Sequence, residues 1–344
     1  MVTLILAGSV TLLLMCFKPS TSSVGQVNLP ASPDVGEDLF SDKSSKNVTT
    51  MLIWSWPFGK QFNLTVCDSV YNIKGCFLTT DRNLYNMSDV VLIHHQTICR
   101  KQFCLPPLQR PPFQRWIWMN FEAPSHSPKS PEIENLFNLT VSYRRDADIK
   151  MPYGSIEILD VERDLVLRVK NKLLCWVVSD WKEQYVRSAY YYELQKYVPI
   201  SGYGKYFGKP LTATEYYHTL SKCKFYLALE NSIHMDYITE KFFNALSLKT
   251  VPVVLGPPRE NYERIIQGDA FIHVDDFKSP KELADYLLLL DKNEEMYLKY
   301  FEWQRHFKVK KYTSWDLRAC RVCDHVRRHK EYKTINLHKW FWDE

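Results

Sequence analysis

A single carboxylate, Glu122, stands in a position that suits a general base. It directly follows the apolar, aromatic run Trp116–Phe121 and precedes the sequence Ala-Pro-Ser-His-Ser-Pro. In open α/β sheets, ligands bind beyond the carboxyl ends of the strands. An apolar setting also raises the pKa of a carboxyl group toward the range that suits a base. On the pattern alone, a carboxylate on a surface loop is the more common explanation.

A second cluster of polar side chains follows the apolar run Phe225–Leu229. A helix that begins near Thr239 after a strand offers free N–H groups and a favourable dipole, and both suit a diphosphate. Lys241 adds positive charge there, and Glu240 could accept hydrogen bonds from ribose or sugar hydroxyls. Arg187, in the first turns of an earlier helix, would bring a guanidinium to the same site, and this group can donate two parallel hydrogen bonds to a phosphate. Taken singly, each is also compatible with a charge on a helix surface.

Two further patterns resemble ligand sites but are better explained otherwise. Asp146-Ala-Asp148 has the spacing with which many sugar-nucleotide transferases hold a divalent metal. Arg144 and Arg145 precede it and would neutralise the carboxylates, so we predict a charged turn and no metal site. The glycine-rich segment 201–208 resembles a dinucleotide-binding turn, but its last spacing is one residue too long and no strand immediately precedes it.

The elements that would position these residues are short apolar runs and amphipathic ones. Predicted strands come in two sets, separated by a break near Pro152: Met51–Trp56, Val90–His94, Trp116–Phe121 and Leu136–Tyr143, then Leu173–Val178, Phe225–Leu229, Val251–Leu255 and Phe271–Val274. Predicted helices lie between strands of the second set, at Tyr185–Tyr197, Ile238–Leu248 and Ser279–Leu290. Continuously apolar strands are typical of buried parallel sheets. We therefore predict an α/β fold of two doubly wound sheets that face a cleft.

The N-terminus predicts a secreted or lumenal chain. Val2–Phe17 contains no charged residue, and Lys18 follows it. A helix of this length spans about 24 Å. A cleaved signal peptide normally has basic residues before its apolar run, and this sequence has none there. We predict an uncleaved signal anchor over residues 1–17 and a Ser- and Pro-rich stem over 18–50, with a cleaved signal as the alternative. The length of 344 residues then leaves room for two domains, at 51–153 and 154–304, and a C-terminal segment at 305–344.

Glycosylation sequons and cysteines agree with this compartment. Four Asn-x-Ser/Thr sequons occur, at Asn47, Asn63, Asn86 and Asn138. Eight of the nine cysteines lie outside the apolar run, and an even set in a lumenal chain indicates disulfides. The C-x-x-C at Cys320 lacks the second ligand pair of a zinc site, so we favour structural disulfides there.

Composition and charge exclude several protein classes. Apolar residues make up 45% and charged residues 24% of the chain, which excludes a disordered, collagenous or multi-span membrane protein. The formal charge of +5 is local, because residues 305–333 hold ten Lys and Arg against three Asp and Glu. The rest of the chain is near neutral, and we predict no nucleic-acid partner.

Longer segments give the chain a resemblance to a known family. From about Met51 to Glu344 it resembles the inverting α1,3-fucosyltransferases of the Lewis-antigen family, glycosyltransferase family ten. The segments that carry the resemblance are WSWPFG (54–59), GCFLTTDRNLYN (75–86), PPFQRWIWMNFEAPSHSP (111–128), FNLTVSYRRDADIKMPYG (137–154), CKFYLALENSIHMDYITEKFFNAL (223–246), VPVVLGPPRENYE (251–263) and CDHVRRHKEY (323–332).

The resemblance implies a GT-B architecture and metal-independent transfer of L-fucose from GDP-β-L-fucose. The implied acceptor is the 3-hydroxyl of GlcNAc in Galβ1,4GlcNAc, so that Lewis x type glycans form on glycoproteins and glycolipids. It also implies a single-pass type II protein of the Golgi membrane with its catalytic domain in the lumen. Domain 51–153 would bind the acceptor and domain 154–304 the donor.

The resemblance also implies roles for individual residues. Glu122 matches the general base, Arg187 and Lys241 match the groups that balance the GDP phosphates, and Lys60 falls on the acceptor side. Other residues match the lining of the donor pocket, namely Glu240, Asn231, Tyr226, Tyr153 and Ser179. The implied disulfides are Cys67–Cys320, Cys76–Cys323 and Cys175–Cys223. The segment with Asp146 and Asp148 occurs in the family without binding a metal.

Two departures and two alternative functions accompany this hypothesis. Lys60 stands where a close relative has glutamine, which bears on acceptor preference. Cys99 and Cys104 are additional to the family's set and could pair or remain free. A fucosyltransferase for core GlcNAc or for protein is one alternative, and a lumenal glycan-binding protein without catalysis is the other.

Overall fold

The computed structural model describes residues 48–100, 105–106, 109–312 and 314–343, with only the backbone at 99 and 100. The predicted anchor, nearly all of the stem, Asn47, Cys104 and the side chain of Cys99 lie outside the described residues. Within those ranges, none of the helices combines the length and the apolar character that crossing a membrane requires.

Two parallel sheets form the framework. The strands, in chain order, are β1 (Thr49–Ile53), β2 (Cys76–Thr79), β3 (Val90–His94), β4 (Arg115–Met119), β5 (Leu139–Ser142), β6 (Ile149–Lys150), β7 (Gly154–Ile158), β8 (Lys172–Val177), β9 (Ile200–Tyr203), β10 (Cys223–Leu229), β11 (Val251–Leu255), β12 (Ile272–His273) and β13 (Phe307–Lys311). The first sheet has the order β2-β1-β3-β4-β5-β6 and the second β12-β11-β10-β8-β9, while β13 pairs antiparallel with β7. The prediction of an α/β fold built on two parallel sheets is confirmed.

Helices cover these sheets. Those of the described residues are α1 (Val66–Ser69), α2 (His95–Arg100), α3 (Val186–Leu194), α4 (Ala213–Ser221), α5 (Glu240–Ser247), α6 (Arg259–Glu263), α7 (Pro280–Lys292), α8 (Glu294–Leu298), α9 (Trp315–Arg328) and α10 (Leu337–Phe341). The start of α5 differs from the predicted Ile238, because Asp236 has a positive φ of 61° and turns the chain. Thr239 is extended and becomes the N-cap.

The C-terminal segment packs on both faces of the first sheet. On one face, α9 buries Cys320, Val322 and Val326 in the core that includes Leu92 and Val141. On the other face, α10 buries Leu337 and Phe341 against Trp116, Trp118 and Ile93. Segment 305–344 is therefore part of the body of the fold rather than a free tail.

Three disulfides fasten these elements. Cys67–Cys320 and Cys76–Cys323 join α1 and β2 to α9 over sequence separations of 253 and 247 residues. Cys175–Cys223 joins β8 to β10. These are the three pairs that the family resemblance implies. The two cysteines of the C-x-x-C segment have different partners, so they form neither a zinc pair nor a redox pair.

Candidate active site

A pocket of about 430 Å³ lies at the carboxyl end of the second sheet. Its walls come from the loop after β8, the start of α4, the loop after β10 and the first turns of α5. Six of the seven predicted donor residues line it, namely Ser179, Arg187, Tyr226, Asn231, Glu240 and Lys241. This is the edge of a parallel sheet at which ligands of α/β proteins bind.

Lys241 points its ammonium into this pocket from a fixed position. Its Nζ lies 2.8 Å from Oε2 of Glu230 and donates to the hydroxyl of Thr239 at 2.8 Å. The Glu230 carboxylate also accepts from the backbone N–H of Thr239, at 2.8 Å, and its side chain is 1% exposed. Burial alone would lower the pKa of Lys241, but the carboxylates of Glu230 and Glu240 outweigh burial and raise it. The ammonium is therefore charged at neutral pH.

Arg187 supplies a second cation, which backbone carbonyl groups hold in place. Its side chain is only 4% exposed, and its guanidinium donates to the carbonyl oxygens of Asp180 and Leu229. Burial lowers the pKa of Arg187 from its usual value. In the described part of the chain, Arg187 forms no ion pair, and its buried Nε has no hydrogen-bond partner. The guanidinium also lies 5.1 Å from the ring centroid of Tyr185. A buried cation that carbonyl groups and a ring hold in place is suited to an anionic ligand.

Glu122 lies at the carboxyl end of the first sheet, just after β4, and is half-buried. Its N–H donates to Oδ1 of Asn120 at 3.1 Å. The amide of Asn120 donates to the hydroxyl of Ser127 at 2.7 Å, and that hydroxyl donates to the carbonyl of Ala123 at 2.9 Å. Hydrogen bonds therefore fix the loop on both sides of Glu122.

Tyr153 connects Glu122 with the donor pocket, although it does not line that pocket. Its hydroxyl donates to the carbonyl of Phe121 at 2.5 Å. Burial raises the pKa of Tyr153 well above its usual value, and the charges of Glu240 and Glu122 raise it further. Both carboxylates therefore lie near this ring, one from each half of the molecule.

Arg318 of α9 is a buried neighbour of this site that sequence reasoning missed. Its guanidinium lies 3.7 Å from the ring centroid of Phe121 and 4.6 Å from that of Trp315. Burial lowers the pKa of Arg318 to about 10, while Tyr153 and Glu240 act in the opposite direction. No sequence signal marks it, because it lies in the basic C-terminal segment and reaches the site only through the packing of α9. The sequence also did not predict that Glu230 and Thr239 hold the ammonium of Lys241. Both residues lie in the predicted donor-binding segment, but their contacts with Lys241 depend on how that segment folds.

Lys60 lies apart from the donor pocket, in an exposed turn that follows β1. The preceding Phe58 has a positive φ of 52°, and its ring centroid lies 4.7 Å from that of His94. His94 in turn contacts Trp315, which contacts Phe121. A row of rings thus leads from the Lys60 turn to the residue before Glu122.

Asp146 and Asp148 are engaged by other side chains. Asp146 accepts two hydrogen bonds of 2.9 Å from Arg144, and Asp148 accepts from the N–H and the hydroxyl of Thr140 and pairs with Lys333. The described ranges contain no group of three or more side chains that could hold a metal ion. The charged-turn interpretation fits this geometry, and independence from metal stays a prediction.

The sequons differ in accessibility. Asn63 and Asn86 are exposed. Asn138 is fully buried, and its side-chain nitrogen donates to the carbonyl of Lys333 at 2.7 Å. That nitrogen is engaged inside the fold, whereas a glycan has to extend into solvent, so the burial does not favour glycosylation at Asn138. Glycosylation at the described sequons stays a prediction.

Comparison with known proteins identifies the family. Residues 46–154 match the model "Fucosyltransferase, N-terminal", and residues 167–340 match "Glycosyltransferase family 10 (fucosyltransferase) C-term". The chain is 50% identical to 4-galactosyl-N-acetylglucosaminide 3-alpha-L-fucosyltransferase 9 of Bos taurus and of Homo sapiens, over 99% of this chain and 96% of each relative. A solved structure of an alpha1,3-fucosyltransferase with GDP-fucose shares the fold, with a TM-score of 0.57 at 19% identity over 88% of this chain and 95% of that one. The chain belongs to glycosyltransferase family 10, the fucosyltransferases.

Proposed function

We propose that this protein transfers L-fucose from GDP-β-L-fucose to the 3-hydroxyl of GlcNAc in Galβ1,4GlcNAc, with inversion at the anomeric carbon. The names of the vertebrate relatives that share half of its residues over almost the whole chain support this activity. The observation that carries the proposal is the donor pocket, where Arg187 and Lys241 present two cations close to the hydrogen-bonding groups Asn231 and Glu240. Two cations in one pocket suit the diphosphate of a nucleotide sugar.

The proposed reaction is a single in-line displacement. Glu122 accepts the proton of the GlcNAc 3-hydroxyl as that oxygen forms a bond to the anomeric carbon of fucose. The bond between this carbon and the β-phosphate oxygen breaks at the same time, and its electron pair leaves with GDP. Arg187 and Lys241 stabilise the negative charge that develops on the diphosphate. These two cations do the work that a divalent metal does in other transferases, so no metal is required.

Residues around the cations orient the donor. Glu230 and Thr239 hold the ammonium of Lys241 in place, so little reorganisation is needed when the diphosphate arrives. Glu240 accepts hydrogen bonds from the hydroxyls of the sugar or ribose. Further donor contacts come from Ser179, Tyr226 and Asn231, which line the pocket, while Tyr153 holds the end of β4 beside Glu122 through its bond to Phe121.

We further propose that residues 51–153 bind the acceptor, with Lys60 beside it, and that residues 154–304 bind GDP-fucose. Residues 1–17 would anchor the chain in the Golgi membrane, with the catalytic part in the lumen. The three disulfides support an oxidising compartment of this kind.

The decisive experiment is a transfer assay of the full chain with GDP-fucose and N-acetyllactosamine, in which NMR determines the linkage of the product. We expect fucose in α1,3 linkage to GlcNAc, formed equally well in the presence of EDTA. Transfer only to core GlcNAc or to protein would reject the proposed acceptor. Glycan binding without turnover would reject the enzyme, and loss of activity in EDTA with recovery in manganese would reject the metal-free mechanism.

A further inference from the structure

The segment that connects Asn231 to Thr239 joins two parts of the donor pocket. Asn231 follows β10 and lines that pocket, and Thr239 is the N-cap of α5, the helix that carries Glu240 and Lys241. Residues 232–238 do not line the pocket themselves. They contact instead the half of the molecule that carries Glu122.

Two of these contacts reach the loop of Glu122. Nε2 of His234 lies 3.0 Å from the hydroxyl oxygen of Ser125, which belongs to that loop. The ring of Tyr237 is buried in one cluster with Ala123, the residue directly after Glu122. The connecting segment is therefore in contact with both the first and the fourth residue of the chain after Glu122 except for those between them, that is, with Ala123 and Ser125.

Asp236 provides a third contact and joins the segment to both halves. Its Oδ2 accepts from the backbone N–H of Arg145, in the loop between β5 and β6, at 3.0 Å. Its Oδ1 accepts from the side-chain amide of Asn261, in α6, at 2.8 Å. Asn261 is only 5% exposed, so packing holds that donor in place. One carboxylate thus ties segment 232–238 to an element of each half.

The backbone of Asp236 also directs the chain into α5. Its φ of 61° lies in the left-handed region, which aspartate and asparagine adopt more readily than other residues with a side chain. Its carbonyl oxygen accepts from the N–H of Ile238 at 2.8 Å. The direction in which Thr239 and Lys241 follow depends on this turn, so a shift of Asp236 would move the start of α5.

The proposed displacement requires such a connection. Glu122 comes from the first half of the molecule and Lys241 from the second, yet both must act on one pair of reacting atoms. Those atoms have to lie about 3–3.5 Å apart and in line, and a misplacement of about 1 Å can cost about 10²-fold in rate.

We propose that Asp236 is a positioning residue, which holds α5 and its Lys241 in register with Glu122 through the bonds to Arg145 and Asn261. This inference rests on the proposed function, because it takes Glu122 and Lys241 to act in the same transfer. Asp236 does not line the donor pocket, so its effect on the reaction is indirect.

Steady-state kinetics of the full chain test this role with D236A and D236N. D236A removes both bonds, and we expect kcat to fall about 10-fold or more. KM for GDP-fucose should stay within about 2-fold, because the pocket keeps its own residues. Asparagine tolerates the left-handed backbone but offers one acceptor oxygen in place of two, so D236N should recover part of the lost kcat.

N72A is the matched control for backbone strain. Asn72 has a φ of 52° and lies in an exposed turn between α1 and β2, so alanine is strained there in the same way. N72A should keep kcat within about 2-fold of wild type, as expected for a surface substitution. An equal loss of kcat in N72A and D236A would overturn the inference. A rise in KM for GDP-fucose with unchanged kcat in D236A would overturn it as well.

Amide hydrogen exchange adds a readout that does not depend on turnover. In D236A, exchange should become faster at residues 122–128 and 143–147 as well as at 232–238, because the connection between the halves is lost. An increase confined to 232–238 would mean that Asp236 has only a local structural role. Absence of transfer to lactosamine in the wild type would instead count against the proposed function, and the exchange measurement would still decide whether Asp236 connects the two halves.

Discussion

The imidazole of His126 and the hydroxyl of Tyr185 lie 2.9 Å apart and join the two halves of the molecule. The Tyr185 hydroxyl donates to Oδ2 of Asp180 at 3.0 Å, so its oxygen accepts from Nε2 of His126. His126 belongs to the loop that begins at Glu122, and Tyr185 is the N-cap residue of the helix that carries Arg187. The loop with the proposed base is thus tied to the element that holds one of the proposed diphosphate cations.

Tyr185→Phe should slow transfer without weakening GDP binding. The change removes the hydroxyl between His126 and Asp180 but leaves the bond from Arg187 to the Asp180 carbonyl intact. One hydrogen bond contributes about 0.5–1.5 kcal/mol, so kcat should fall roughly 2- to 10-fold. Steady-state kinetics and GDP titration by calorimetry check this. Tyr192→Phe is the matched control, because it removes an exposed hydroxyl from the same helix. A loss of GDP affinity equal to the loss in kcat would reject a positioning role.

Glu122→Gln should fold normally, bind GDP and lose transfer. Glutamine keeps the size of the side chain but cannot accept the proton of the acceptor hydroxyl, and general-base catalysis typically contributes about 10²- to 10⁴-fold. The measurements are the transfer rate, GDP affinity and circular dichroism. Glu132→Gln serves as the control, since that carboxylate is exposed ten residues further along the chain. Turnover within a few-fold of wild type would falsify the assignment of Glu122 as the base.

Much of the framework could be predicted because its strands are continuously apolar. β3 and β11 begin and end where the sequence predicted, and both are buried along their full length. β9 and β13 were missed because edge and ribbon strands are only half-buried and their sequences carry polar or charged residues. In α9, the apolar residues Ala319, Val322, Cys323 and Val326 do have helical spacing. The many arginines of that segment concealed the pattern.

In the candidate site too, local features could be predicted from the sequence and contacts between distant segments could not. Arg187 and Lys241 could be proposed from sequence because a helix start after a strand is a local pattern. The contact of His126 with Tyr185 spans 59 residues, and Arg318 approaches Phe121 only because α9 returns to the first sheet. Such relationships depend on the packing of separate elements, which periodicity does not encode. For the same reason, the sequon at Asn138 does not reveal that its side chain is buried in the structure.

Thr239→Val should weaken donor binding more than it slows chemistry. The hydroxyl of Thr239 contacts both Lys241 and Glu230, so its removal leaves the ammonium with one partner fewer and less fixed in position. We expect KM for GDP-fucose to rise roughly 3- to 10-fold, in line with about 1 kcal/mol for a lost hydrogen bond. Thr250→Val is the control, because it removes a buried hydroxyl that bonds to Leu220 away from the pocket. If both variants lost only stability and kept the same KM, Thr239 would have no role in donor binding.

Protonation of His95 should make the fold less stable in mild acid. His95 is fully buried, and its Nδ1 accepts a hydrogen bond from Nε1 of Trp118 at 3.2 Å. Burial lowers the pKa of His95 to about 4, against about 6.5 in the unfolded chain. Between these two values the unfolded chain binds the proton and the folded protein does not. Stability is therefore complete above about pH 6.5 and falls as the pH drops toward 4, by about 3 kcal/mol in total.

Urea unfolding of wild type and His95→Gln at several pH values between 7 and 4.5 tests this pH dependence. Glutamine keeps an acceptor for Trp118 but does not titrate, so the variant should be less stable at pH 7 and should lose less stability on acidification. Burial also lowers the pKa of His126 and of His325, and their contributions have the same sign but remain in both proteins. The difference in unfolding free energy between wild type and variant should consequently narrow as the pH falls. A difference that stays constant from pH 7 to 4.5 would mean that His95 does not carry the effect.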